Sequence, residues 1–287
     1  MIDIKQHNLY KAMEVDGVLS NIFNIYFKNF LTLFLYSFVA VFAIQMVLYQ
    51  LGFMELYKVG FDKPEEFLAI YSKLMSKIAI ISVLSVIVYG LLNSFLVRYL
   101  LQTDTPHKSS VGEIFIDSIR KYSVHMIFFL ILSTLILIVG AIIGVLALFI
   151  GAFIAMIYLG TALIVGGSIL VAEEKNAIET IGRSFTLVHK DFWPTLGALI
   201  LFILIMILAS IVLAAVMAIP YVIMFVENWH ETGSFRDIFN VQMYDLGIWS
   251  VVINSIVSAI TYPMYAIVSV VLYIRLRFIE DQRNLKQ

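Results

Sequence analysis

Long stretches without a charged residue alternate with short polar segments along this chain. Asp, Glu, Lys and Arg are absent from five stretches, at 29–54, 78–97, 122–172, 192–226 and 246–274. A helix needs about 20 apolar residues to cross the hydrocarbon core of a bilayer. Four stretches therefore fit one crossing each, and the longest fits two that are joined near Gly140 and Gly144. The pattern predicts six spans, at about 30–51, 78–101, 124–143, 146–171, 193–219 and 248–274.

The segment before each odd-numbered span has apolar residues at helical spacing and polar residues on its other faces. Before span five, Ile178, Ile181 and Phe185 lie on the apolar face, and Glu179 and Arg183 lie elsewhere. Such a helix is typical of the membrane interface. Three interfacial helices are predicted, at about 14–28, 110–122 and 174–190. Amphipathic helices also flank spans in proteins without repeats, and that alternative stays open.

The predicted fold class is an all-α integral membrane protein with six transmembrane helices. They form three units, each a cytoplasmic interfacial amphipathic helix followed by a helical hairpin. The whole chain, 1–287, is predicted to be a single polytopic membrane domain.

Lys and Arg are unevenly distributed between the two sides of the predicted spans. Fourteen belong to the side with both termini and the loops after spans two and four, and five to the other side. Positive residues concentrate on the cytoplasmic side of membrane proteins. The sequence therefore predicts a multi-pass protein of the plasma (inner) membrane, with its N- and C-termini in the cytoplasm.

Composition excludes several functional classes. With 61% hydrophobic and 14% charged residues, the chain is unlike a soluble protein, and a net charge of -1 gives no electrostatic basis for binding nucleic acid. Without cysteine there is no thiol catalysis or cysteine-ligated metal. The five histidines do not have metal-ligand spacing, and no Walker A, GxSxG or HExxH motif occurs. The sequence predicts no enzyme, no catalytic or metal-binding residue and no cofactor.

No charged side chain lies at membrane depth in the predicted spans, where only a few polar ones occur; Arg98 lies near the end of span two. A proton-coupled carrier usually retains an intramembrane charge, so this absence argues against such transport, although not against passage of a neutral or lipid-like molecule. Asn93 and Asn254 are predicted to hydrogen-bond between helices. Gly140 and Gly144 form a GxxxG pair for close helix contact within the molecule, predicted between spans three and four and the other spans; self-association is the alternative. The VGGS sequence at 165–168 and Pro263 are predicted to loosen or kink their spans.

Basic residues near the ends of the predicted spans are candidates for contact with anionic lipid headgroups. Each such contact is worth about 1 kcal/mol near a membrane surface. The same residues are also explained by a role in topology alone. The candidates are Arg120, Lys121, Arg183, Lys190, Arg275 and Arg277. The partners predicted from the sequence are the lipid bilayer, anionic phospholipids and a membrane protein.

One segment carries a family resemblance. In GGSILVAEEKNAIETIGRSFTLVHKDFWPTLGALILF, a span ends in an acidic turn at 172–174, and an Ala-Ile-x-x-Ile-x-x-Ser helix with Arg183 and Ser184 follows. An aromatic pair at 192–193 then opens the next span. This segment resembles the integral membrane domains first noted on glycerophosphodiester phosphodiesterases, and related stand-alone six-helix proteins of unknown function. The resemblance implies six helices. It does not carry over the enzymatic activity, because that belongs to a separate soluble barrel for which this chain has no room.

Mitochondrial carriers share six spans in three units, but their Pro-x-Asp/Glu-x-x-Lys/Arg signature does not occur here. The sequence favours a non-catalytic membrane scaffold or a regulatory or accessory subunit. The alternative is a transporter or lipid-handling protein for a neutral or lipid-like substrate. An intramembrane enzyme is the least favoured hypothesis.

Overall fold

The computed structural model describes residues 2–52, 64–103, 105, 109–146, 149–232 and 247–285. In these ranges the chain forms nine α-helices, two short 3-10 helices at Ile4–Gln6 and His189–Asp191, and no strand. The helices are α1 Val15–Lys28, α2 Phe30–Gln50, α3 Pro64–Thr103, α4 Val111–Leu146, α5 Phe149–Leu163, α6 Gly166–Glu173, α7 Ala177–Val188, α8 Phe192–Thr232 and α9 Ile248–Asn284.

Six helical segments of the described chain are long and apolar enough to cross a membrane. They are Phe30–Gln50, Lys77–Thr103, Val111–Leu146, Phe149–Ala172, Ala177–Ile219 and Ile248–Asn284. Each overlaps one of the spans predicted from the charge-free stretches. The predicted fold class, an all-α membrane protein with six transmembrane helices, is therefore confirmed.

The helix boundaries differ from the predicted ones at one interfacial segment. Residues 111–122 are helical, but they form the first part of α4, which continues without a break to Leu146. Neither Gly nor Pro occurs at 113–139, so no residue there favours an end to the helix. By contrast, α1 and α2 are separate helices on either side of Asn29, whose backbone is not helical.

A break divides the fourth span where the VGGS sequence predicted a loosening. Helix α5 ends at Leu163, a turn covers 164–165, and α6 begins at Gly166. A Cβ atom on Gly166 would collide with the ring of Phe129 in α4, so the small residue also permits close packing. Pro263 has a different outcome, because it lies inside the continuous helix α9.

The two glycines of the GxxxG pair bring α4 and α5 into close contact with each other. The contact is within the molecule, as predicted, but it joins spans three and four to each other and was predicted between them and the other spans. A Cβ atom on Gly144 would lie 2.5 Å from the backbone of Ala152 and from the carbonyl oxygen of Gly151. A Cβ atom on Gly140 would collide with the side chain of Leu159. The contact is thus made within the chain, across one helical hairpin.

The chain divides into two compact units. The first comprises Met1–Phe34, Val86–Ile203 and Tyr262–Gln287, and its buried residues include Leu96, Ile169, Leu187 and Ile267. The second comprises Leu35–Ser85 and Leu204–Thr261; within it, the Lys77 ammonium donates to the carbonyl of Leu51 at 3.0 Å. All the charged clusters and the pocket described below belong to the first unit.

Candidate functional site

The first unit contains a cluster of charged side chains centred on one buried carboxylate. Glu280, near the end of α9, is only 5% exposed. It accepts hydrogen bonds from Arg183 Nη1 at 2.8 Å and from Nη2, from Lys190 Nζ at 2.6 Å and from Arg277 Nη1 at 2.5 Å. We call Glu173, Arg183, Lys190, Arg277 and Glu280 the Glu280 cluster. It joins residues of α6, α7, the His189–Asp191 3-10 helix and α9.

Arg183 connects the two carboxylates of this cluster. Its two terminal nitrogens bind Glu280, and its Nε donates to Glu173 Oε2 at 3.1 Å. Glu173 also accepts a hydrogen bond from the Tyr273 hydroxyl at 3.3 Å. The planar guanidinium group suits this role because its donors point in fixed directions and can bind two acceptors at once.

A second basic residue of α9 connects that helix to the N-terminal segment, residues 2–14, which precedes α1. Arg275 is 6% exposed, and its Nε donates to the carbonyl of Met13 at 2.8 Å. Its Nη1 lies 2.6 Å from Asp191 Oδ2, in an ion pair without the alignment of a hydrogen bond. The hydroxyl of Tyr10 donates to Asp281 at 2.5 Å. Burial, and then this bond, raise the pKa of Tyr10 above its ordinary value.

Glu174, directly after α6, has an unusual backbone and a short ion pair. Its φ of 55° and ψ of 38° lie in the left-handed region, which a residue with a side chain seldom adopts. Lys121 Nζ lies 2.5 Å from Glu174 Oε1, and the Tyr122 hydroxyl donates to the same oxygen at 3.3 Å. The hydrogen bond from Lys121 is the largest influence that lowers the pKa of Glu174, to about 2. The pair joins α4 to the turn between α6 and α7.

Intramolecular carboxylates face five of the six basic residues that the sequence proposed as headgroup contacts, namely Lys121, Arg183, Lys190, Arg275 and Arg277. The sixth, Arg120, is exposed and has no ion pair within the described ranges. The structure brings Arg183, Lys190 and Arg277 together on one carboxylate, and the other three lie outside that group. Headgroup contact stays a prediction for all six.

Sequence reasoning missed the carboxylate that collects these cations. Glu280 follows Arg277 by three residues, and residues at that spacing share a face of a helix. This spacing was the available signal. Glu173 was noted in the acidic turn, but its pairing with Arg183 depends on the folding of α7 against α6.

The serine of the Ala-Ile-x-x-Ile-x-x-Ser helix has a structural function at the break in the fourth span. Ser184 is fully buried, and its hydroxyl donates to the carbonyl of Ala162 at 2.6 Å. That carbonyl lies just before the turn at 164–165, where the regular helical pattern stops. Asn176 caps the start of α7 by accepting a hydrogen bond from the backbone N–H of Glu179 at 2.9 Å.

Helix α7 packs against the protein by a face that combines small polar and apolar residues. Thr180, Ser184 and Leu187 are fully buried. On the opposite face, Ile178 is 75% exposed, and Gly182 is exposed with no atom near enough to meet an added Cβ. Ile178 was predicted to face the membrane interface; its exposure is compatible with that role, which stays a prediction.

A pocket of about 570 Å³ is lined in part by the N-terminal segment. Its wall is formed by residues of that segment, α1, α3, α4 and the connection between α3 and α4, namely Gln6, Asn8, Lys28, Tyr99, Gln102, Thr103, Thr105, Ser109, Val111 and Ile114. We call it the α3–α4 pocket. The N-terminal segment is held against α3 by buried His7, whose Nε2 lies 3.4 Å from the carbonyl oxygen of Leu100.

Neither a metal-ligand cluster in the described ranges nor a similar known protein indicates what these residues bind. Within the described ranges, no group of three or more His, Asp or Glu residues could hold a metal ion. No protein-family model matches the sequence, and no curated protein or solved structure is significantly similar to it. The resemblance to phosphodiesterase-associated membrane domains therefore stays a prediction.

Proposed function

We propose that this multi-pass protein is a non-catalytic scaffold or an accessory subunit. We further propose that it resides in the plasma (inner) membrane, with both termini in the cytoplasm. The excess of Lys and Arg beside the termini and the loops after spans two and four supports this orientation.

The observation that carries the scaffold proposal is the fixed position of α7. The Glu280 cluster holds Arg183 of α7 against both α6 and α9, while Ser184 joins α7 to the end of α5. The face with Ile178 and Gly182 stays exposed. A surface that is already ordered loses less conformational entropy on binding, which suits a site that docks a partner.

The test is purification of the tagged full-length protein in a mild detergent, with and without a bulky charge on α7. We expect the wild type to retain a membrane-protein partner in a constant ratio, and the Gly182→Arg variant to lose it. Gly112→Arg is the matched control, because Gly112 is also exposed and has no atom within 4 Å of an added Cβ. Absence of a stable partner, or equal loss in both variants, would contradict the proposal.

The α3–α4 pocket favours a second candidate function, the handling or transport of a neutral or lipid-like molecule. Its volume lies within the range of small-molecule sites, and its wall combines apolar and polar side chains. Purified protein in liposomes should then accelerate the movement of a labelled lipid between leaflets. Movement no faster than in protein-free liposomes would remove this candidate.

A further inference from the structure

Asn254 of α9 is an exposed polar residue in an apolar span. It lies within the charge-free stretch 246–274, five residues after Trp249, whose side chain is 66% exposed. A helix rises about 1.5 Å per residue, so Asn254 lies roughly 7–8 Å further along the span than this tryptophan. Tryptophan side chains concentrate at the membrane–water interface. This spacing places Asn254 at the depth of the hydrocarbon core, where acyl chains offer its amide no hydrogen bond.

The side-chain amide of Asn254 has no hydrogen-bond partner among the residues that the structure describes. Asn93 of α3 provides the contrast, because its Nδ2 donates to the Tyr262 hydroxyl at 2.6 Å. Both asparagines were predicted to bond between helices, and within the described ranges only Asn93 does so. An amide without a partner in an apolar environment costs free energy. Asn254 is therefore available to a partner outside the chain.

The face of α9 that carries Asn254 is polar over three helical turns. Ser250, Asn254, Ser258 and Thr261 are spaced by four, four and three residues, so they lie on one side of the helix. The hydroxyls of Ser250 and Thr261 donate to backbone carbonyls three and four residues earlier, at 2.7 and 3.1 Å. Their oxygens keep lone pairs that accept further hydrogen bonds. We call these four residues the Asn254 face.

A different side of α9 packs within the chain. Val251, Ser255 and Ala259 recur every four residues and are fully buried. One residue corresponds to about 100° of rotation, so this buried side is well separated from the Asn254 face. Asn254 itself is exposed, and the other three residues of its face are half-buried. Polar residues on an exposed side of a transmembrane helix are typical of contacts with another helix, to which they hydrogen-bond.

We propose that the Asn254 face binds a second copy of this chain, with Asn254 paired to Asn254 of the partner subunit. A side-chain amide is self-complementary, because it has both a C=O acceptor and N–H donors. Two copies with the same topology hold this amide at the same depth, and a two-fold axis brings identical surfaces together. Each Asn254 then donates to the other and accepts from it. The face belongs to the second unit and α7 to the first, so this proposal and the scaffold proposal fail separately.

The first experiment measures self-association of the full-length protein in liposomes. Donor-labelled and acceptor-labelled copies are reconstituted together, and energy transfer is followed as the lipid-to-protein ratio is raised. We expect the wild type to dimerise and Asn254→Leu to have a dissociation constant about fivefold to tenfold higher. Asn254→Gln keeps an amide and should retain most of the affinity. A monomeric wild type, or equal association of the wild type and Asn254→Leu, would overturn the proposal.

Two controls test whether the effect belongs to this face. Gln45→Leu also removes a side-chain amide from a span of the second unit, and it should leave the dissociation constant unchanged. Because the chain has no native cysteine, Ser258→Cys can be oxidised in membranes and should give a disulfide-linked dimer. Ile211→Cys, at a position of α8 that is 60% exposed, should not. An equal result for a variant and its control would overturn the assignment of the surface.

Two other occupants of this face would give different results. Reaction of Asn254→Cys in liposomes with a small water-soluble thiol reagent would show that water reaches this position and satisfies the amide. A monomeric wild type that retains a different membrane protein, which Asn254→Leu loses, would identify a helix of another chain as the partner. Either result would overturn a second copy as the occupant, whereas an unreactive Asn254→Cys and a homodimer are the results that we expect.

Discussion

Glu280 combines deep burial with hydrogen bonds from three basic side chains. The Glu280→Gln variant would leave Arg183, Lys190 and Arg277 facing a neutral amide. Loss of one member of a buried ion pair costs about 3–5 kcal/mol, and we expect the lower end because Lys190 and Arg277 are partly exposed to solvent. Thermal unfolding in detergent should occur several degrees lower. Glu179→Gln, on the exposed side of α7, is the control, and an equal effect of the two changes would contradict this account.

The pair between Glu174 and Lys121 predicts a pH-dependent contribution to stability. Because the pKa of Glu174 is lowered to about 2 in the folded protein, the pair stabilises the fold above the ordinary carboxyl pKa and loses its effect as pH falls toward 2. Lys121→Gln should therefore reduce stability at pH 6 and have little effect near pH 2. Both side chains are partly exposed, so we expect at most about 1 kcal/mol. The adjacent exposed Arg120→Gln should be neutral throughout; a difference between wild type and Lys121→Gln that grows on acidification would refute the prediction.

At the scale of helical elements, Gly144 sets how closely α4 and α5 approach. An added Cβ would lie 2.5 Å from backbone atoms of Ala152, and backbone cannot move aside as a flexible side chain can. Gly144→Ala should force the helices apart and cost about 1–3 kcal/mol in the free energy of unfolding, measured by denaturation in mixed micelles. Gly160→Ala, in the same hairpin, meets no atom within 4 Å and should be neutral or slightly stabilising. The same loss in both variants would show that helix contact is not the cause.

The sequence predicted the helices better than it predicted where some of them end. Charge-free stretches identify segments that fit a bilayer, and all six have a counterpart in the structure. The same pattern does not show whether a helix ends at the charged residues that flank its apolar stretch. The interfacial segment before span three was therefore not predicted to be part of α4. A helix break was predictable where glycines weaken the helix, as in the VGGS sequence at 165–168. The contact of Asn93 with the Tyr262 hydroxyl, at 2.6 Å, confirms its predicted interhelical bond.

The candidate site was predictable only in part, because its members come from distant segments of the chain. Lys and Arg beside the spans could be identified individually. Their carboxylate partners could not, since Glu173, Arg183 and Glu280 meet only after α6, α7 and α9 have packed.

At the scale of the whole molecule, ion pairing does not weaken the argument for orientation. The positive-inside preference depends on the number of Lys and Arg residues in short loops, and acidic residues contribute little to it. At least eight of the basic residues counted on the side of the termini are paired with carboxylates in the folded protein. They still count toward orientation because insertion precedes this packing.

The proposed orientation can be tested directly because the chain has no native cysteine. Single-cysteine variants Arg120→Cys and Gly182→Cys should react with a membrane-impermeant maleimide only after cells are opened, since both positions are exposed and the proposed orientation assigns them to the side of the termini. Lys73→Cys, an exposed position on the other side, should react in intact cells and serves as the positive control. Labelling of Arg120→Cys and Gly182→Cys from opposite faces would overturn the shared topology of the units, and labelling of both in intact cells would reverse the orientation.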